Sequence, residues 1–126
     1  MLKLTSSRLQ MLWGLLVGMI ALGSLLPSVG MHTEIVDAYL GDHWVHFLAY
    51  AVVSFLPWLA WKRNTALALS TGMAALGAGL EIVRSIVEVR SPDVQYIVIN
   101  ALGVAAGILL GLNILTRRAR MSQVDT

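Results

Sequence analysis

Asp42-His43-Trp44-Val45-His46-Phe47-Leu48-Ala49-Tyr50 opens an apolar run that carries no further charge until Lys62. On a helix of about 3.6 residues per turn, Asp42, His46 and Tyr50 stand nearly above one another. A run of this length and polarity reads as membrane-spanning. Lipid supplies neither water nor hydrogen-bond partners, so ionisable groups at the mouth of the segment must find them elsewhere in the chain.

Composition supports the membrane reading. The 126 residues are 57% hydrophobic and 13% charged, against about 25% charged in average soluble domains. A soluble core of this size would not hide that much apolar surface. The net charge of +2 and the pI near 9.4 do not indicate nucleic acid. The basic residues sit at the ends of apolar runs and form no basic face. With no cysteine there is no disulfide, thiolate nucleophile or thiolate metal site.

Outward from the opening stretch, the chain divides into four apolar spans. A polar segment, 1–10, carries Lys3 and Arg8 and leads into the first span, Met11–Val29, with Gly14 and Gly18 four residues apart. A basic start before an apolar run also describes a signal peptide, but this run exceeds the roughly 7–15 residues of such a segment. Gly30 to His43 forms a loop with Glu34 and Asp37, in which Ile35, Val36, Tyr39 and Leu40 suit a short helix at the membrane surface. Trp44–Trp61 is the second span, with Trp44, Trp58 and Trp61 placed as interfacial anchors and Pro57 in the last turn. Lys62-Arg63-Asn64 is a basic turn before the third span, Thr65–Val83. A charged loop, Arg84 to Asp93, leads to the fourth, Val94–Leu115, and a basic tail, 116–126, is expected to be disordered. The expected fold is an all-α bundle of four transmembrane helices. Seven basic residues precede the first span, join the second to the third or follow the fourth, and only Arg84 and Arg90 lie opposite. By the positive-inside rule both termini are cytoplasmic and the longer loops face outward.

This orientation gathers the polar residues in the outer leaflet. Ser70, Ala74, Gly77 and Glu81 make one stripe of the third helix, and small residues there let a neighbour approach. Asn100, Gly103, Gly107 and Gly111 make a second stripe on the fourth. The bland account assigns these groups to structure: Glu81 and Arg84 are three apart, Arg84 and Glu88 four apart, and both spacings suit ion pairs. Asn100 and His46 then simply bond a neighbouring helix or a carbonyl. Several such groups converging at one end of a membrane bundle nevertheless point to a site. The sequence holds no Gly-x-Ser-x-Gly, His-Glu-x-x-His or phosphate-cradling glycine loop. One histidine with carboxylates is a weak metal signal, so no metal or other cofactor is assigned. His46 as a general base oriented by Asp42 is chemically sound.

The polar blocks, Asp42…His46-Phe47…Tyr50, then Gly79-Leu80-Glu81, then Arg90-Ser91…Asp93…Asn100-Ala101-Leu102-Gly103, resemble in order and spacing those of the VanZ-like membrane proteins. The match runs from about Asp42 to Gly111. The resemblance implies a small helical membrane bundle and a link to glycopeptide resistance, chiefly to teicoplanin. Two departures stand out: Arg84 replaces a frequent glutamine, and Tyr96 replaces a frequent acidic residue four before the asparagine. Both make the pocket less acidic and better suited to an anionic head group than to a metal.

The sequence thus predicts a bacterial inner (plasma) membrane protein with an outward polar pocket of Asp42, His46, Tyr50, Glu81, Arg84, Arg90, Asp93 and Asn100. Its expected partners are membrane lipid and an amphiphilic envelope molecule, a lipid-linked glycan or a lipoglycopeptide. Arg84 and Arg90 would hold phosphate or carboxylate, and Asn100 and Tyr50 would hydrogen-bond. Two rival readings are an enzyme using His46 with Asp42 and an accessory subunit forming homo- or hetero-oligomers through Gly103, Gly107 and Gly111. The topology is directly testable. A reporter that works only outside the cytoplasm should be silent when fused after Gln123, and activity there would reverse the orientation.

Overall fold

Four helices of the computed structural model are long and apolar enough to cross a membrane. The structure describes residues 5–25 and 41–125, so the expected surface helix around Ile35–Leu40 lies outside the described residues. The described chain has no strand. It forms α1 (Ser6–Leu25), α2 (Gly41–Phe55), the one-turn α3 (Pro57–Ala60), α4 (Arg63–Val87) and α5 (Val94–Val124). The outer surface is apolar: Leu15, Met19, Ile86 and Leu109 are each about two-thirds exposed. In water that surface would be costly, whereas in lipid it is the expected one. The chain is a multi-pass membrane protein.

The second span is broken where the sequence places proline. Pro57 has no N–H to offer the carbonyl four residues back, and its ring crowds that carbonyl. Helix α2 therefore ends at Phe55 and α3 begins at Pro57. The Val53 carbonyl that Pro57 leaves free accepts the Trp13 indole N–H from α1 at 2.8 Å. The adjacent Ser54 carbonyl accepts the Ser70 hydroxyl from α4 at 2.6 Å. That hydroxyl in turn accepts the Trp58 indole N–H at 3.1 Å. Trp58 is thus buried, 2% exposed, which corrects its assignment as an interfacial anchor. Its indole seals the bend. Trp61 meets Trp13 edge to face, ring centroids 5.4 Å apart, while Trp44 is exposed at the opposite end of the span.

Glycine sets how closely α5 approaches α2, the most intimately packed pair of helices. A Cβ at Gly103 would stand 2.5 Å from the Phe47 carbonyl oxygen, and one at Gly107 2.5 Å from that of Ala51. At Gly111 it would enter the Trp58 indole. All three glycines are buried against the same chain. This corrects the expectation of a docking stripe for another subunit, because the stripe is already occupied by α2. On α4, Ser70, Met73, Gly77, Leu80 and Glu81 form the buried face, with Gly77 against the Tyr50 ring. Tyr50, Val53, Met73 and Val104 make the core.

The C-terminal segment is helical through Val124, where the sequence reading expected a disordered tail. Residues 116–124 contain no glycine or proline and are rich in Arg, Ala, Met and Gln, all of which continue a helix readily.

The close α2–α5 approach is a property of the missing side chains. Gly107→Leu would press against the Ala51 carbonyl, a backbone group that cannot rotate away. The variant should lose about 2 kcal/mol of stability or more, seen as a lower melting temperature in detergent. A wild-type melting temperature would refute the packing.

Candidate functional site

The site lies at the end of the bundle where α4 stops and α5 starts. Helix α4 ends in a Schellman turn, with Arg90 N–H bonded to the Ser85 carbonyl at 2.9 Å and Val89 N–H to that of Ile86 at 3.3 Å. Such turns want glycine at the left-handed position, yet here Val89 holds it at φ 52°. A β-branched residue there costs about 1–2 kcal/mol. The turn reverses the chain so that Arg90 reaches back over the last turns of α4.

Glu81 receives it. The side chain is 6% exposed, and its Oε1 accepts Arg90 Nη1 at 2.8 Å and the Asp93 backbone N–H at 2.9 Å. The spacing Glu81-x-x-Arg84 suited an ion pair with Arg84, but the turn brings Arg90 instead. Arg84 instead bonds Glu88 at 3.1 Å, and Arg90 also bonds Glu88 at 2.6 Å. These four residues form a neutral cluster of two carboxylates and two guanidiniums. Hydrogen bonds from Arg90 first, and from Arg84, hold the Glu88 carboxyl below its ordinary range. Its folded-state contribution is therefore present at neutral pH and lost as acid protonates it beneath that range. The bonds it donates to Glu88 and Glu81 raise the Arg90 guanidinium further above its usual value, so it is charged throughout.

Behind Glu81, α2, α4 and α5 enclose a polar cavity of about 10 Å³, the space of one water molecule. Of the residues singled out by sequence, His46, Tyr50, Glu81, Arg84 and Asn100 line it together. Arg90 and Asp93 do not line it but back it through Glu81 Oε1. The Asp93 side chain caps α5 by accepting the Gln95 N–H at 2.9 Å, so its placement in the pocket lining is corrected. The Asp42 side chain lies outside the described residues. Among those described, no three His, Asp or Glu side chains gather as metal ligands would.

Asn100 is the distinctive member. It is 4% exposed and lines the cavity, and among the described residues its Oδ1 has no hydrogen-bond partner. An unmet buried acceptor of this kind costs about 1–3 kcal/mol. Tyr50 is 1% exposed and lies with its hydroxyl end over Gly77. Both bonds onto Glu81 land on Oε1, which leaves Oε2 without an accepted bond among the described residues.

The sequence reading missed one wall. Tyr96 lines the cavity, stacked on His43 with centroids 5.0 Å apart and meeting His46 edge-on at 4.8 Å. Its position four before Asn100, one helical turn on the same face, was the available signal. Ser24 on α1 completes the lining.

The ion pair is asymmetric in burial, and that asymmetry is measurable. Glu81→Ala would remove the acceptor shared by Arg90 Nη1 and the Asp93 N–H, leaving Arg90 only Glu88, so the variant should melt clearly lower than wild type. Glu88→Ala should lower the melting temperature clearly less. Equal losses would show that Glu81 is not the anchor.

No family model, curated protein or solved structure matches this chain. The reading of the site accordingly rests on its own geometry.

Proposed function

We propose that this is a VanZ-like protein of the bacterial inner membrane whose polar pocket, on the outward side, recognises an amphiphilic envelope molecule. Lipid-linked glycans and lipoglycopeptides are the candidate class. The observation that carries the reading is the unmet Asn100 acceptor in a cavity shared with Tyr50 and Glu81. A fold gains nothing from a buried unpaired amide oxygen, whereas a ligand donor would satisfy it. The positive-inside count supports the orientation, and the order of the polar blocks supports the family.

The cavity size narrows what enters. About 10 Å³ accepts one small polar group, not a sugar ring. The rest of a head group would stay at the mouth, beside Arg84. An apolar groove of about 340 Å³ along Val94, Val98 and Ile99 is bounded by His43, the ring stacked on Tyr96. The polar cavity and the groove thus lie on either side of one aromatic pair, which suits a molecule with a polar end and a chain. The enzyme reading keeps one supporting observation, that His46 lines the same cavity.

A native mass spectrum of gently solubilised protein tests the proposal. Wild type should retain an amphiphile. Asn100→Leu fills the cavity and removes the unmet acceptor, so it should melt no lower than wild type and yet lose the adduct. Identical adducts on both proteins would overturn the pocket.

A further inference from the structure

The geometry points to a primary ammonium as the group that enters the cavity, carried on an amphiphile with a phosphate close by. The inference rests on the recognition reading above and names the chemistry of its ligand.

Three features converge on it. The first is acceptor chemistry. Among the described residues Asn100 Oδ1 is an unmet acceptor, Glu81 is a carboxylate whose bonds all fall on Oε1, and the Tyr50 hydroxyl accepts as well as donates. An ammonium offers three donors and no acceptor, and so matches this set better than a hydroxyl, which offers one donor. The second is size. A cavity of about 10 Å³ takes a group as large as water, which an –NH₃⁺ is. A trimethylammonium or a phosphate is bulkier and fits this space less readily.

The third is charge and its placement. Glu81, Glu88, Arg84 and Arg90 together are neutral, so a cation meets no net repulsion from them, while the buried carboxylate nearest the cavity belongs to Glu81. Arg84 lines the same cavity three residues on from Glu81. It uses Nε on Glu88, and its guanidinium has further donors to offer an anion. Side chains three apart on a helix stand about 5–6 Å from each other at Cβ. Neighbouring side chains on one face suit the two ends of one short head group, the ammonium at Glu81 and the phosphate at Arg84. The expected ligand is therefore an ethanolamine-type phospholipid or another amphiphile with the same aminoethyl phosphate end.

The test uses the full chain, delipidated in detergent and supplied with lipids of identical acyl chains. These are phosphatidylethanolamine, its monomethyl and dimethyl forms, phosphatidylcholine and phosphatidylglycerol. Native mass spectrometry counts the retained lipid. Retention should fall with each added methyl, and phosphatidylcholine should be held roughly tenfold or more weakly than phosphatidylethanolamine. Asn100→Leu should abolish that preference. Tyr50→Phe, which keeps the ring against Gly77 and removes only the hydroxyl, should reduce it. Displacement by free ethanolamine would assign the recognition to the amine end alone, and failure to displace would assign part of it to the acyl chain; both support the inference. Equal retention of phosphatidylcholine overturns it. Equal retention of phosphatidylglycerol also overturns it but leaves amphiphile recognition standing, provided Asn100→Leu abolishes binding of both. Binding of every lipid unchanged by Asn100→Leu defeats the ammonium and the pocket together.

Discussion

The Val53 carbonyl is the group on which the bundle turns. Pro57 deprives it of its helical donor, and a membrane interior has no water to replace one. The structure answers with an indole from α1, and with a serine from α4 on the carbonyl next to it. A break that would be a local defect in one helix is thereby converted into contacts among α1, α2 and α4. The same bend swings Trp58 inward, where its ring meets the glycine stripe of α5 and its N–H meets Ser70. One proline thus draws on every long helix of the bundle.

At the other end, charge does the equivalent organising. A lone carboxylate at Glu81 would be expensive, and its cost is offset by Arg90 and a backbone N–H. Bringing Arg90 there requires the tight left-handed turn at Val89, so a favourable ion pair is set against an unfavourable backbone angle. The neighbouring Asn100 receives no such compensation from the protein. Glu81 is thus paired through one carboxylate oxygen, while Asn100 Oδ1 is unpaired among the described residues.

Much of this was legible in the sequence, because lipid leaves strong traces. Apolar runs of membrane length, charge-free but for Glu81 in the third, disclosed the four spans, and glycine at every fourth position from Gly103 disclosed the closest helix contact. The stripe through Gly77 and Glu81 named the inward face of α4. What escaped was set by geometry that spacing does not encode. Tryptophan near the end of an apolar run reads as an anchor, and only the bend at Pro57 turns Trp58 into the core. Arg84 lies nearer to Glu81 along the chain, but the Schellman turn brings Arg90 instead. The glycine stripe revealed that a partner exists without saying that it is α2 of the same chain. Tyr96 was visible one turn before Asn100, but as an aromatic among apolar neighbours it carried no polar signal.

The sealing of the bend also implies an order of construction. The chain emerges from the N-terminus, and helices in a membrane form before they associate. Trp13 and Val53 both lie on helices made before α4, so the carbonyl exposed by Pro57 can be satisfied before α4 exists. The Ser54 carbonyl must wait for Ser70, and the pocket for α5, which brings Asn100 and the glycines last. Until then Tyr50 and the Phe47 and Ala51 backbone lack the helix that covers them. The polar cavity is in this sense the last joint of the described bundle to close, formed by the same event that completes its core.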